Sequence, residues 1–273
     1  MDAHQKLTAL KEYLKGLGSI AVAFSGGVDS TFLLAVSHDV LFDKVIAITA
    51  SAPVFPAREQ EEASTFCHSL GIRQLCFEAD VLADPDFCSN PPDRCYICKH
   101  QLFKKIIDIA CRNSINCVCE GSNMDDTGDY RPGMKAVREL EIKSPLMECG
   151  LYKAEIRLLS KEMGLSTWNK SSCACLASRF AYGETITPKK LDMVEQAENV
   201  LHNLGFGQLR VRLHGDNLAR LEVLPEDFPR LMECRTSVIE KLKRLGFAYV
   251  TLDLAGYRTG SMNEVLDGRD KNS

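Results

Sequence analysis

An apolar run that leads into a glycine-containing loop constrains this chain more than any other feature of its sequence. Residues 20–24 read Ile-Ala-Val-Ala-Phe, the pattern of a strand that is buried on both faces. The loop Ser25-Gly26-Gly27-Val28-Asp29-Ser30 follows, and an apolar helix is predicted from Thr31 onward. A helix N-terminus behind such a loop gathers backbone N–H groups around one point, so the segment predicts an anion-binding site.

The residue types of this loop suit phosphate. Gly26 and Gly27 allow unusual backbone angles and close approach, and Ser25 and Ser30 supply hydroxyl donors. The loop lacks the Gly-Lys-Ser/Thr ending of a Walker A motif and the third spaced glycine of a dinucleotide fingerprint. Kinase-like and dehydrogenase functions are therefore disfavoured, and an ordinary glycine turn is the remaining alternative.

Residues 1–121 alternate between helical and strand patterns. Predicted strands at 20–24, 44–50, 73–78 and 116–120 are separated by predicted helices. This order predicts an α/β fold with a doubly wound parallel sheet, whose ligand site lies at the carboxyl ends of the strands.

The pattern changes after Gly183. A helix at 188–204, a hairpin of strands at 209–213 and 219–223, a helix at 225–245 and a strand at 248–254 are predicted. We expect one domain at 1–180 and a small α-β-β-α-β substrate or oligomerisation domain, of α+β type, at 181–273. A unit of that size should pack on another domain or on a second copy of the chain, so we expect a homo-oligomer.

Composition excludes several classes of protein. The 273 residues carry 33 basic and 37 acidic side chains, so no overall basic field favours a nucleic acid as partner. No run approaches the roughly 18 apolar residues that cross a bilayer, and no secretory signal is seen, so a cytoplasmic location without a membrane partner is predicted. Twelve cysteines then indicate core thiols, metal or cluster ligands, or reactive thiols.

The glycine loop in its strand–loop–helix context resembles that of the N-type ATP pyrophosphatases, also called PP-loop ATPases. The resemblance implies ATP and Mg²⁺ as cofactors and cleavage of ATP to AMP and pyrophosphate. It also implies that Asp29 positions Mg²⁺ and phosphates, and that Ser51, after the second strand, lies near the adenine or ribose.

A second segment, residues 168–183, combines reactive and polar side chains with little periodicity, which is typical of a functional loop. If Cys175 opens a helical turn, Arg179 falls on the same face and its charge favours the thiolate of Cys175. Cys175 is then a nucleophile. The alternative is that Cys173 and Cys175 are small core residues.

Several segments together resemble the LarE family of ATP-dependent sacrificial sulfur transferases, which serve synthesis of the nickel-pincer nucleotide cofactor. The resemblance covers nearly the whole chain and rests on these segments: 25–30, 90–99, 121–126, 128–133, 144–146 and 175–179. It implies that ATP adenylates a carboxylate of a pyridinium dicarboxylate mononucleotide. The Cys175 thiolate would then displace AMP and form a thioester, and cleavage of its Cβ–S bond would leave dehydroalanine and a thiocarboxylate product.

One feature departs from the family's single-cysteine pattern, because Cys173 stands beside Cys175. Some relatives hold a 4Fe-4S cluster through several cysteines and transfer sulfur without self-destruction. Cys173 and Cys175 supply only two ligands, and Cys95, Cys98 or Cys149 would have to supply the third. Both routes stay open at the level of sequence.

Further candidates lie outside these two segments. Asp129 and Arg131 follow the fourth predicted strand and are candidates for ATP contacts, with a solvated loop as the alternative. Arg210 and Arg212 alternate along one predicted strand, where the resemblance implies phosphate-binding arginines, although such a face is otherwise usually solvated. Glu198 and Glu222 are candidate metal ligands.

Two other functions compete with sulfur transfer to a mononucleotide. A tRNA-thiolating PP-loop enzyme would share the loop and the cysteines, but it should also show a basic tRNA-binding extension, and the net charge of -4 speaks against this function. A nucleotide-binding sensor without catalysis is the other alternative, and the pairing of Cys175 with Arg179 disfavours it.

Overall fold

The computed structural model of the protein describes residues 1–115, 117–128, 131–171 and 174–265. The chain divides into two compact units. The N-terminal unit comprises residues 1–81 and 95–173, and the C-terminal unit comprises residues 82–94 together with residue 174 onward. The boundary predicted at residue 180 lies a few residues beyond this division. Arg179 and Phe180 belong with the C-terminal residues because Arg179 pairs with Glu198 and Phe180 forms a parallel bridge with Leu213.

The described residues form seven strands and eleven α-helices, with short 3₁₀ turns between them. The strands are β1 (Ile20–Ala23), β2 (Val45–Ser51), β3 (Arg73–Glu78), β4 (Val118–Cys119), β5 (Leu209–His214), β6 (Leu218–Val223) and β7 (Tyr249–Leu252). The helices are α1 (Ala3–Leu17), α2 (Val28–Leu41), α3 (Ala57–Ser69), α4 (Pro85–Cys88), α5 (Arg94–Arg112), α6 (Gly133–Glu139), α7 (Pro145–Glu148), α8 (Lys153–Glu162), α9 (Pro188–Asn203), α10 (Phe228–Glu233) and α11 (Arg235–Arg244).

The N-terminal unit is built around a four-stranded parallel sheet of order β3-β2-β1-β4. Successive residues of β1 face opposite sides: Ile20 and Val22 pack into a cluster with α1, α2 and α8, whereas Ala21 packs with α5 and α6. Apolar residues cover both faces, which explains why β1 and β2 read as continuous apolar runs. The predicted doubly wound α/β fold is confirmed.

The C-terminal unit contains a three-stranded sheet of order β5-β6-β7, in which β5 and β6 are antiparallel and β6 and β7 are parallel. Helix α9 turns the buried residues Leu191, Val194 and Leu201 towards its core. The single helix predicted at 225–245 is wrong. A 3₁₀ turn begins at Pro225, and α10 ends at Glu233 before α11 begins at Arg235, because Cys234 leaves helical geometry with a ψ of 7°.

No helix in the described part of the chain is long and apolar enough to span a membrane.

Candidate functional site

The glycine loop joins β1 to α2 at the carboxyl edge of the parallel sheet. Gly26 has a φ of 72°, a conformation that side chains rarely adopt. A Cβ at this position would also lie 3.1 Å from the Cβ of Ala63 and 3.2 Å from the carbonyl oxygen of Glu59. Glycine is therefore required at residue 26 both by its backbone angles and by the close packing of α3 against the loop.

The loop hydroxyls are already positioned by one another. The Oγ atoms of Ser25 and Ser30 lie 3.1 Å apart, and the Ser30 hydroxyl donates to the carbonyl of Gly27. Gly121, just after β4, packs on the start of α2, because a Cβ there would lie 2.9 Å from the Ser30 nitrogen. The first turn of α2 and the end of β4 thus form one continuous edge.

Asp29, in the first turn of α2, is paired with Lys153 at the start of α8. The Lys153 Nζ lies 2.5 Å from Oδ2 of Asp29, whose side chain is 23% exposed. Burial raises the pKa of Asp29 above its ordinary value, although Lys153 opposes the shift. The other oxygen, Oδ1, is buried and has no hydrogen bond of normal geometry to the residues that the structure describes, although the Asn123 side chain lies near enough to lower the pKa of the carboxyl. A buried acceptor without such a hydrogen bond is suited to a cation.

The segment after β4 supplies acidic groups beside this pair. Asp125 accepts a hydrogen bond from the backbone N–H of Lys153, and Asp126 accepts one from that of Asn123. Arg131 is ion-paired with Asp126 at 2.6 Å and stays about half exposed. Ser51 ends β2 at the same edge of the sheet as the loop. Asp129 lies outside the described residues.

Two lysines at this edge were missed by sequence reasoning. Lys153 binds Asp29, and Lys170 binds the carbonyl oxygen of Gly26 together with Glu59 and Glu62. Each lysine is more than a hundred residues from its partner in the loop, so local periodicity carries no signal for either contact. The sequence marked Lys170 only as a member of the polar segment 168–183, and it did not mark Lys153.

In the C-terminal unit, Cys175 immediately precedes a 3₁₀ turn, Leu176–Arg179. Arg179 is 1% exposed, forms two bonds with the Glu198 carboxylate at 2.7 and 2.8 Å, and donates to the carbonyls of Ala174 and Cys175. The guanidinium therefore fixes the backbone that carries the half-buried Cys175. Its predicted effect on the thiol stays a prediction. Cys173 lies outside the described residues.

The two candidate phosphate-binding arginines are buried. Arg210 and Arg212 are each 8% exposed, so the alternative of a solvated basic face is wrong. Arg212 forms two bonds of 3.0 Å with Glu222 and also donates to the hydroxyl of Ser261, while Arg210 lies over the ring of Tyr257 at 5.3 Å.

Glu198 and Glu222 bind arginines through both of their oxygens. Burial would raise the pKa of Glu198, but Arg179 and Arg210 hold it below its ordinary value, so the group is a carboxylate. Within the described ranges, no cluster of three or more His, Cys, Asp or Glu side chains could hold a metal. This arrangement argues against the metal-binding role predicted for Glu198 and Glu222, because guanidinium groups already occupy their oxygens.

Sequence comparison finds known proteins that are similar to this chain over most of its length. No family model matches the sequence. A Synechocystis protein named "Uncharacterized protein slr1717" is 40% identical over 96% of this chain and 98% of its own. The "Pyridinium-3,5-bisthiocarboxylic acid mononucleotide synthase" of Lactiplantibacillus plantarum is 38% identical over 96% of this chain and 95% of its own. A glutamine-hydrolyzing GMP synthase chain from Methanocaldococcus jannaschii is 28% identical over 53% of this chain and 49% of its own.

Proposed function

The chain belongs to the LarE-type family of pyridinium-3,5-bisthiocarboxylic acid mononucleotide synthases, and on this basis we propose that it is an ATP-dependent sulfur transferase of nickel-pincer nucleotide synthesis. The structural observation that carries the proposal is the glycine loop at the carboxyl edge of a parallel sheet, with Asp29 and Lys153 beside it. A homo-oligomeric state and a cytoplasmic location stay predictions.

The first step needs ATP held by its phosphates. The glycine loop at the N-terminus of α2 binds the pyrophosphate part of ATP through hydroxyl and N–H donors. These donors belong to Ser25, Gly26, Gly27 and Ser30. The Asp29 carboxylate, whose Oδ1 has no hydrogen bond of normal geometry, would ligate a Mg²⁺ ion, and the ion would neutralise phosphate charge there. Ser51, Arg131 and Asp129 are proposed for the nucleoside side. A substrate carboxylate oxygen attacks the α-phosphorus, and pyrophosphate leaves.

The second step transfers sulfur. The Cys175 thiolate attacks the adenylated acyl carbon, AMP leaves, and a thioester joins substrate and protein. Removal of the Cα proton of residue 175 then breaks its Cβ–Sγ bond. The sulfur departs with the acyl group as a thiocarboxylate, and residue 175 becomes dehydroalanine. The alternative is that Cys173, Cys175 and a third cysteine would hold a 4Fe-4S cluster, which would allow sulfur transfer without loss of the Cys175 side chain.

Asp29→Asn is expected to lower pyrophosphate release by about 100-fold or more, since it removes the charge that positions the metal and phosphates. Pyrophosphate can be measured with Mg²⁺-ATP and the mononucleotide. Asp43→Asn, which removes an exposed carboxylate in the 3₁₀ turn after α2, is the control and should leave pyrophosphate release unchanged. Formation of ADP and phosphate, or full activity in folded Asp29→Asn protein, would refute the proposed first step.

We propose that Arg210 and Arg212 bind the phosphate of the mononucleotide. Arg210→Met is expected to weaken mononucleotide binding about 10- to 100-fold, the range for a lost charge-assisted hydrogen bond. ATP affinity should change less than about threefold, since the loop is intact. Titration of each ligand separately tests this, with the exposed Arg235→Met as control. Equal weakening of both ligands, or of neither, would contradict the assignment.

A further inference from the structure

Lys170 makes an unusual set of contacts for a residue of the cysteine-bearing segment. Its Nζ lies 3.0 Å from the carbonyl oxygen of Gly26, 2.6 Å from Glu59 and 2.7 Å from Glu62. Three acceptors match the three N–H groups of an ammonium. Its side chain is only 15% exposed, so the charge is held against the loop rather than in solvent.

The backbone that carries Lys170 is itself held in place. Arg157 of α8 donates to the carbonyls of Trp168 and Lys170, each at 2.8 Å. Burial would lower the pKa of Lys170, but Glu59 and Glu62 raise it above its ordinary value, so the side chain stays charged. The ammonium is therefore a fixed, permanent donor to the Gly26 carbonyl.

This contact determines where the next N–H points. The peptide between Gly26 and Gly27 is trans, and in a trans peptide the carbonyl and the following N–H point in opposite directions. With the Gly26 carbonyl on Lys170, the Gly27 N–H is directed to the other side of the loop. Within the described ranges, that N–H donates no hydrogen bond, and Gly27 is only partly buried.

Without such a contact, this peptide would turn easily. A peptide flip changes ψ of the residue before it and φ of the residue after it, and glycine tolerates nearly all such values. Both residues here are glycine, so sterics alone do not select the orientation that offers the N–H to an anion. The hydrogen bond from Lys170 does select it.

We propose that Lys170 is a positioning residue that holds the Gly26–Gly27 peptide so that the Gly27 N–H binds the pyrophosphate group of ATP. This inference rests on the proposed function, because it assumes that the loop binds pyrophosphate. The segment 168–183 would then have two roles: Cys175 transfers sulfur, and Lys170, five residues earlier in the chain, positions the loop that binds ATP.

The test compares binding of Mg²⁺-pyrophosphate and of AMP by calorimetry. Lys170→Met should weaken pyrophosphate binding about 10- to 100-fold, the effect of one hydrogen bond to an anion. AMP binding should change less than about threefold, because AMP lacks the group that the Gly27 N–H contacts. Lys170→Arg keeps a charged donor and should recover most of the affinity.

Two controls separate peptide orientation from general stability. Lys6→Met removes another lysine–glutamate pair of similar burial, to Glu155, and should leave pyrophosphate binding unchanged. Arg58→Met removes the exposed partner of Glu62 but leaves Lys170 all three of its acceptors, and should also leave pyrophosphate binding unchanged. If Lys170→Met does not fold, Lys170→Gln replaces it and is expected to weaken pyrophosphate binding in the same direction.

The outcomes distinguish this inference from the proposed function. Wild-type protein that does not bind Mg²⁺-pyrophosphate would overturn both. If the wild-type protein binds Mg²⁺-pyrophosphate and Lys170→Met binds it equally well, the role of Lys170 is overturned but the proposed function is not. Equal losses of pyrophosphate and AMP affinity would also overturn it, since they would indicate general disruption of the unit.

Discussion

Arg179→Met is expected to lower the free energy of unfolding by about 3–5 kcal/mol, the range for breaking a buried ion pair. Arg179 is 1% exposed and Glu198 is 7% exposed, so the variant leaves a buried carboxylate without its strongest partner. Urea denaturation measures the change. An effect below about 1 kcal/mol would show that Glu198 does not depend on Arg179.

A double variant separates stability from function. Arg179→Met with Glu198→Leu removes both charges and should recover part of the lost stability, because no carboxylate is then buried alone, although the Val211 N–H loses its acceptor and Arg210 loses a nearby charge. Sulfur transfer should remain impaired, since the carbonyls of Ala174 and Cys175 still lack their donor. Recovery of both stability and sulfur transfer would refute the role of Arg179 in holding the Cys175 backbone.

The same pair predicts a pH dependence. The folded-state pKa of Glu198 lies below its ordinary value of 4.5, so the pair contributes stability above that pH. The contribution is lost as pH falls below 4.5 and through the folded-state pKa. Wild-type stability should therefore decline over this acid range, and the double variant should decline less.

Cys175→Ala is expected to abolish formation of the thiocarboxylate while leaving pyrophosphate release intact. The sulfur atom itself is absent from the variant, whereas the glycine loop lies in the other compact unit and keeps all of its side chains. Product analysis by mass spectrometry and a pyrophosphate assay measure the two steps separately. Cys234→Ala, another half-buried cysteine of the same unit, is the control and should transfer sulfur normally. A Cys175→Ala protein that transfers sulfur at the wild-type rate would contradict the assignment.

The sequence predicted those features that depend on neighbouring residues. The apolar run before Ser25 and the glycines after it located β1 and the glycine loop, because strand period and glycine conformations are local properties. Helix α2 begins at Val28, three residues before the predicted start at Thr31. The broken helix after Pro225 was missed, since apolar spacing continues across Cys234 although the backbone does not remain helical.

Local sequence patterns could not predict which side chains pair with each other in the folded protein. Glu198 and Glu222 were assigned to a metal because carboxylates are metal ligands, but the fold brings each against an arginine. The burial of Arg210 and Arg212 likewise depends on how the C-terminal unit packs, and alternation along a strand cannot distinguish a buried face from a solvated one. Lys153 and Lys170 reach the loop only through tertiary structure.

We propose that Cys175 donates the sulfur, and the intact mass of the protein before and after one turnover tests this role most directly. The sacrificial route predicts a loss of the mass of one H₂S, with dehydroalanine at residue 175 in the peptide map. An unchanged mass with an iron–sulfur absorbance that requires Cys173 and Cys175 would contradict donation by Cys175 and would support the cluster route. Stoichiometric thiocarboxylate formation by protein that lacks a cluster and retains an unmodified Cys175 would contradict the account.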